Sequence, residues 1–250
     1  MGTAGNEPVG ASASGGSGVG WHALMVWGAI VLAVVLLVSM VFIGFIPPLV
    51  IAAVLFVIGA LVARRKPKVG AIVLAVFSVL FLALNAPFIA PGLAVPASTA
   101  DFLLTVLFLV INLTVLIAAI AVIRRPTVGA SPGAGLLARV ALGLLVVALA
   151  VAVVARATYD APSVQAGDVR LVTEDFDFSK TSLPVETGEV SVFVENRDPT
   201  LHTFTVEELD VDLQVPANSS GRVAFDAPEG TYEFICVPHS FDMKGTLEAS

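Results

Sequence analysis

The chain is 250 residues long, 57% hydrophobic and only 13% charged, with a mean hydropathy of +0.94, which excludes an ordinary water-soluble globule and selects a membrane protein. Its charge is segregated: 18 of the 20 carboxylates lie from Asp160 onward, and Asp101 is the only one between residues 8 and 159. Residues 157–250 set those 18 against five basic side chains, Arg170, Lys180, Arg197, Arg222 and Lys244, which argues against nucleic acid or an anionic lipid surface as partner of that half.

Residues 1–20, MGTAGNEPVGASASGGSGVG, bury too little apolar surface to offset their ordering entropy and read as a disordered tail. The tail has no basic leader and the apolar run after it is long, so a cleaved signal peptide is not expected. Five apolar runs follow, at about 21–46, 49–65, 69–90, 102–123 and 136–156. At 1.5 Å per helical residue such runs suit a hydrocarbon layer roughly 30 Å thick. The second is the shortest and leans on snorkelling of Arg64 and Arg65. Pro47 and Pro48 separate the first two; were they only a kink, four spans would remain.

Arg64, Arg65, Lys66, Lys68, Arg124, Arg125 and Arg139 all fall in or beside the second and fourth connections, whereas the Pro-Pro turn and the 91–101 loop hold no Lys or Arg. Positive charge stays on the cytoplasmic side, so the N-terminus is expected inside and everything after Arg156 outside, with either span count. Asn85, Thr105, Asn112 and Thr114 are neutral polar groups within the runs, and helix-to-helix hydrogen bonding accounts for them better than a transport path does. Residues 21–156 are therefore expected to form an all-α bundle in the lipid bilayer, an anchor or docking platform.

After a linker at 157–167, residues 168–250 change texture. VRLVTEDFDF, GEVSVFVEN, LHTFTVEEL, VDLQV, GRVAFDA, TYEFICV and KGTLEA are β-rich runs separated by SLPVETG, RDPT, PANSSG and APEG. Seven short strands at such spacing predict an all-β antiparallel sandwich or barrel. In GEVSVFVEN, Val190, Val192 and Val194 share one face; in TYEFICV, Tyr232, Phe234 and Cys236 do.

The last strands carry the only cysteine, one of three histidines and the only methionine after residue 40, in the pattern C-x2-H-x3-M: Cys236, His239, Met243. His202, at the start of an earlier strand, is the other histidine of this half, and a Greek-key sandwich brings that strand end beside the loop. A thiolate, two imidazoles and a thioether are the set that suits copper in a one-electron site, since thiolate serves both oxidation states, imidazole the cupric and thioether the cuprous ion. A zinc site is expected to show further Cys or His at short spacing, and a dinuclear copper centre needs two cysteines.

Residues from about 165 to 250 resemble a cupredoxin, the blue or type 1 copper fold. The resemblance rests on N-x5-H-x-F (Asn196, His202, Phe204) followed by Y-x-F-x-C-x-x-H-x3-M-x-G (Tyr232, Phe234, Cys236, His239, Met243, Gly245). It implies a Greek-key cupredoxin sandwich with His202, Cys236 and His239 as equatorial ligands and Met243 as the axial ligand of one mononuclear copper ion, cycling between Cu(I) and Cu(II). It also implies that the Thr203 amide bonds the sulfur, that Pro238 removes a donor near it, and that Pro238, His239, Ser240 and Phe241 form a contact rim.

The function expected on this basis is electron transfer. A multi-pass protein of a prokaryotic plasma membrane would carry single electrons between redox protein partners, with its copper domain extracytoplasmic. No enzyme activity and no small-molecule substrate are expected, because an oxidase or reductase would need further histidine clusters. The alternatives are a copper-binding chaperone or accessory module for a respiratory complex, and a metal-free cupredoxin-fold interaction domain.

Overall fold

A computed structural model describes residues 18–125 and 129–250 of the chain, so the expected tail lies outside the described residues up to residue 17. Five helices come first: α1 (Trp21–Ile43), α2 (Pro47–Arg65), α3 (Pro67–Ala94), α4 (Thr99–Arg124) and α5 (Pro132–Thr158). Each is long and apolar enough to cross a membrane. Proline at the first helical position begins α2, α3 and α5, where its missing N–H costs nothing and its fixed φ favours the first turn. Around Pro47 and Pro48 the chain turns rather than kinks: Gly44 adopts φ 81°, and α2 packs back against α1.

Pro87 and Pro91 sit inside α3, which runs on to Ala94, past the break expected at 91. An apolar surrounding leaves the backbone no partner but itself, so helix persists through prolines that would end it in water.

In the bundle α4 packs against α1, α3 and α5, and α1 against α2. Its core is Met25, Leu32, Phe56, Leu74, Val115 and Val122, interleaved with alanines on facing helices. Small residues set the closest approach: a Cβ at Gly70 of α3 would collide with the backbone of Ala63 in α2. The outward faces are apolar throughout, as for Val57, Leu84 and Leu142.

The second half is a sandwich of nine strands rather than seven: β1 (Val169–Glu174), β2 (Asp177–Phe178), β3 (Ser182–Val185), β4 (Gly188–Asn196), β5 (His202–Val206), β6 (Val211–Val215), β7 (Ser219–Ala227), β8 (Gly230–Ile235) and β9 (Lys244–Ala249). One sheet has the order β2-β1-β4-β7, the other β3-β9-β8-β5-β6. It is also mixed rather than antiparallel, because β1 pairs with β4, and β3 with β9, in parallel. The extra strands explain this. The run VRLVTEDFDF is broken by a two-residue turn at Asp175 and Phe176, and SLPV, read as turn, crosses to the edge of the other sheet. Pro184 fits there because an edge strand can spare a donor. Crossing between sheets lets β4 return alongside β1 in the same direction.

Val190, Val192 and Val194 point inward together with Leu171, and meet Phe204, Phe234 and Leu247 from the opposite sheet. Phe178 and Phe204 both pack on Phe234, at 5.1 and 5.3 Å between ring centroids. Cys236 and Met243 are fully buried at one end of this core, which is where the candidate site lies.

Candidate metal centre

β5 opens on His202, and β8 delivers Cys236 one residue past its end. A short 3-10 turn, Val237–His239, then bends the chain so that His239 comes back over the sulfur. Three backbone bonds close this loop: His239 N–H donates to Cys236 O over 2.9 Å, Met243 N–H to His239 O over 2.9 Å, and Cys236 N–H to Met243 O over 3.0 Å. A loop so tied leaves little freedom to Cys236, His239 and Met243.

The structure brings three of the four expected side chains to one point. One candidate ligand atom from each of His202, Cys236 and His239 lies within 4.8 Å of the other two. Nδ1 of His202 is 3.4 Å from Cys236 Sγ, and Nδ1 of His239 is 3.5 Å from it. Met243 is fully buried at the far end of the same loop, in the same apolar cluster as Cys236. The Thr203 amide donates to Sγ over 3.4 Å, and the Thr203 hydroxyl accepts from Val237 N–H over 2.8 Å, so β5 and the ligand loop are stitched together beside the sulfur.

His202 is oriented from behind. Its Nε2–H donates to Oδ2 of the buried Asp198 over 2.7 Å. A carboxylate only accepts, so the proton of a neutral His202 sits on Nε2 and the lone pair of Nδ1 faces the sulfur. Asp198 also accepts from the amides of Asp175 and Phe176, at 2.9 and 3.1 Å. These bonds hold the β1–β2 turn, where Asp175 and Phe176 take φ 56° and 62°. That region is unusual for a phenylalanine and persists only where the surroundings impose it. The consequence is positional: the Phe176 ring stands edge-on to both imidazoles, 6.0 Å from His202 and 5.3 Å from His239 between centroids.

Asn196, at the end of β4, secures the loop that precedes His202. Its Nδ2 lies within hydrogen-bond reach of the carbonyls of Thr200, Val215 and Pro216, and its Oδ1 accepts from Thr173 Oγ1 and the Asp198 amide. Reading the sequence alone placed Asn196 in the motif but missed Asp198 and Phe176. A carboxylate four residues before a candidate ligand was a usable signal for Asp198; nothing in the sequence marked Phe176.

Burial holds the whole set neutral. It pushes the Cys236 thiol above its ordinary range, against the Thr203 amide, and pulls His202 down against the neighbouring Asp198. His239 is pulled down to about 4, by burial first and then by the charge of His202. Two neutral imidazoles are ready donors, and a thiol that yields its proton to a cation supplies the third, so this donor set fits copper. Around it lies an apolar rim: Val237 is 45% and Phe241 93% exposed, with His239 half-buried between them.

The model of the cupredoxin-like domain matches residues 143–249, a segment that begins within α5. No curated protein matches the chain. Among solved structures, a reduced tryptophan-to-tyrosine mutant of amicyanin is 22% identical, with 35% of this chain and 86% of that chain covered and a TM-score of 0.30. Amicyanin from Paracoccus versutus (Thiobacillus versutus) is 17% identical over 35% of this chain and 85% of its own, also with a TM-score of 0.30. The family match identifies the C-terminal part as a cupredoxin-like domain, its nine-stranded sandwich preceded by five apolar helices long enough to cross a membrane.

Proposed function

We propose that the chain is a membrane-anchored type 1 copper protein that carries single electrons on the outer face of a prokaryotic plasma membrane, exchanging them with redox protein partners. The observation that carries this reading is the convergence of the imidazole nitrogens of His202 and His239 on Cys236 Sγ at 3.4 and 3.5 Å. His202, Cys236 and His239 would hold one copper ion, with the Met243 thioether as the weak fourth donor. When bound, the ion supplies a one-electron couple between its cuprous and cupric forms.

The protein's own part is to keep the donors still. The closed 236–243 loop, the Asp198 carboxylate and the two bonds of Thr203 leave each donor one arrangement, so little rearrangement accompanies a change of charge. Phe176 and the apolar core exclude water. Half-buried His239, ringed by Val237 and Phe241, offers the short way out for an electron to a docked partner. The basic connections at Arg64–Lys68 and Arg124–Arg125 support an orientation with the copper domain outside.

The test is to load the purified full chain with copper. The reading expects an intense colour when oxidised, reversible bleaching by one electron per copper, and fast electron exchange. Cys236→Ser should abolish the colour, because a hydroxyl is a far poorer soft donor. Colourless, weak cuprous binding would overturn the carrier in favour of copper handling, and a chain that takes up no copper would leave a metal-free interaction module.

A further inference from the structure

Asp101 is the isolated carboxylate of the apolar half. It lies in the first turn of α4, at the end of the bundle remote from the basic connections. Two of its three partners are in the other domain. Oδ1 accepts from the Thr200 hydroxyl over 2.6 Å, and Oδ2 accepts from the Leu201 amide over 2.8 Å. Ser98 donates to Oδ2 over 2.6 Å and in turn accepts from the Ala217 amide over 3.3 Å. Thr200, Leu201 and Ser98 are all buried. Leu201 immediately precedes His202, so the carboxylate grips the backbone at the point where the β5 histidine begins.

Other contacts place the same end of the sandwich on the same end of the bundle. Arg156, in the last turn of α5, donates to the carbonyl of Asn218 over 3.1 Å, and the Tyr159 hydroxyl donates to that of Ser220 over 3.0 Å. The β4–β5 loop is thus clamped from two sides, by Asn196 and Asp198 within the domain and by Asp101 from the helices.

We propose that Asp101 is a positioning residue of the metal centre, through which the helical bundle fixes the start of β5 and holds a negative charge on the amide of Leu201, one residue before His202. The helices and the copper domain then work as one redox unit, set at a fixed place on the membrane surface, rather than as a carrier swinging on a linker. This rests on the copper reading above. The charge has a direction of effect: an anion near the centre favours the more positive, oxidised state, so removing it raises the reduction potential.

The experiment compares the wild-type full chain with Asp101→Asn and Asp101→Ala, in detergent. In the metal-free proteins, amide hydrogen exchange is followed at residues 200–203 and, as reference, in β8 and β9. With copper, the reduction potential and the spin-resonance spectrum are recorded. The inference expects exchange at 200–203 to quicken at least tenfold in Asp101→Ala with the reference strands unchanged. It expects the potential to rise in both variants, by about 59 mV for each tenfold change in relative affinity for the two oxidation states. Quicker exchange with an unaltered potential and spectrum would make Asp101 a docking contact only and overturn the inference, as would variants indistinguishable from a copper-loaded wild type. A wild-type chain that takes up no copper would refute the reading beneath it instead.

Discussion

Replacing Asp198 by alanine attacks the support of His202 without touching any of the four proposed donors. The carboxylate accepts from His202 Nε2 at 2.7 Å and from the amides of Asp175 and Phe176 at 2.9 and 3.1 Å. The two amides lie in a turn open to water and can be rehydrated, so each loss costs about 1 kcal/mol. His202 is wholly buried, and its Nε2–H would be left without a partner, at about 1–3 kcal/mol. The sum, about 3–5 kcal/mol, is a large part of the stability of a typical domain. Both tryptophans, Trp21 and Trp27, lie in α1, so their fluorescence reports on the bundle and not on the sandwich. Amide hydrogen exchange of the metal-free full chain is the suitable assay. In β5 and the β1–β2 turn it should quicken by roughly two to three and a half orders of magnitude, at 1.4 kcal/mol per factor of ten. Copper affinity should fall about 10–100-fold, as for other lost partners of a ligating histidine. Exchange and affinity both within twofold of wild type would refute the claim that Asp198 orients His202.

The metal-free domain should be most stable between about pH 6.5 and pH 9. His202 and His239 have folded-state values depressed below 6.5, so their contribution is present above that pH and is lost as pH falls through it toward the value of about 4 for His239. Cys236 is raised above 9.0, so its contribution is present below that pH and declines as pH rises past it. Denaturant unfolding followed by hydrogen exchange across pH 4–10 checks both limbs, and a flat profile would contradict the burial of all three groups. Gly245→Ala should cost about 1–3 kcal/mol, because the new Cβ would overlap the Phe234 ring and lie 2.7 Å from the Thr181 carbonyl; an unchanged melting temperature of the sandwich would contradict that packing. Met243→Leu should keep the colour of the copper-loaded chain and raise its reduction potential, since it removes only a weak donor; loss of the colour would mean that the thioether is no minor ligand.

The architecture was legible where physics acts locally. Long apolar runs and basic connections mark helices from composition alone, and alternation in GEVSVFVEN marks the inward valines. Cys236, His239 and Met243 were readable as a group because a loop of eight residues cannot keep them far apart. What escaped depends on contacts distant in sequence. The parallel pairing of β1 with β4 follows from a crossing between sheets that no local pattern encodes. SLPV looks like turn sequence, yet Pro184 is tolerated on an edge. Phe176 reaches the imidazoles only because Asp198, 22 residues on, holds its backbone at positive φ. Asp101 stood out as a lone carboxylate, but its meeting with Thr200 and Leu201 depends on how the two halves of the chain dock.

The central claim is that one copper ion binds through the sulfur of Cys236 and the imidazoles of His202 and His239. X-ray absorption at the copper edge of the loaded full chain tests it most directly. The account expects one copper per chain with a single short copper-sulfur bond and two copper-nitrogen bonds, the sulfur signal vanishing in Cys236→Ser. A spectrum with no short copper-sulfur bond, or one unaltered by Cys236→Ser, would contradict it.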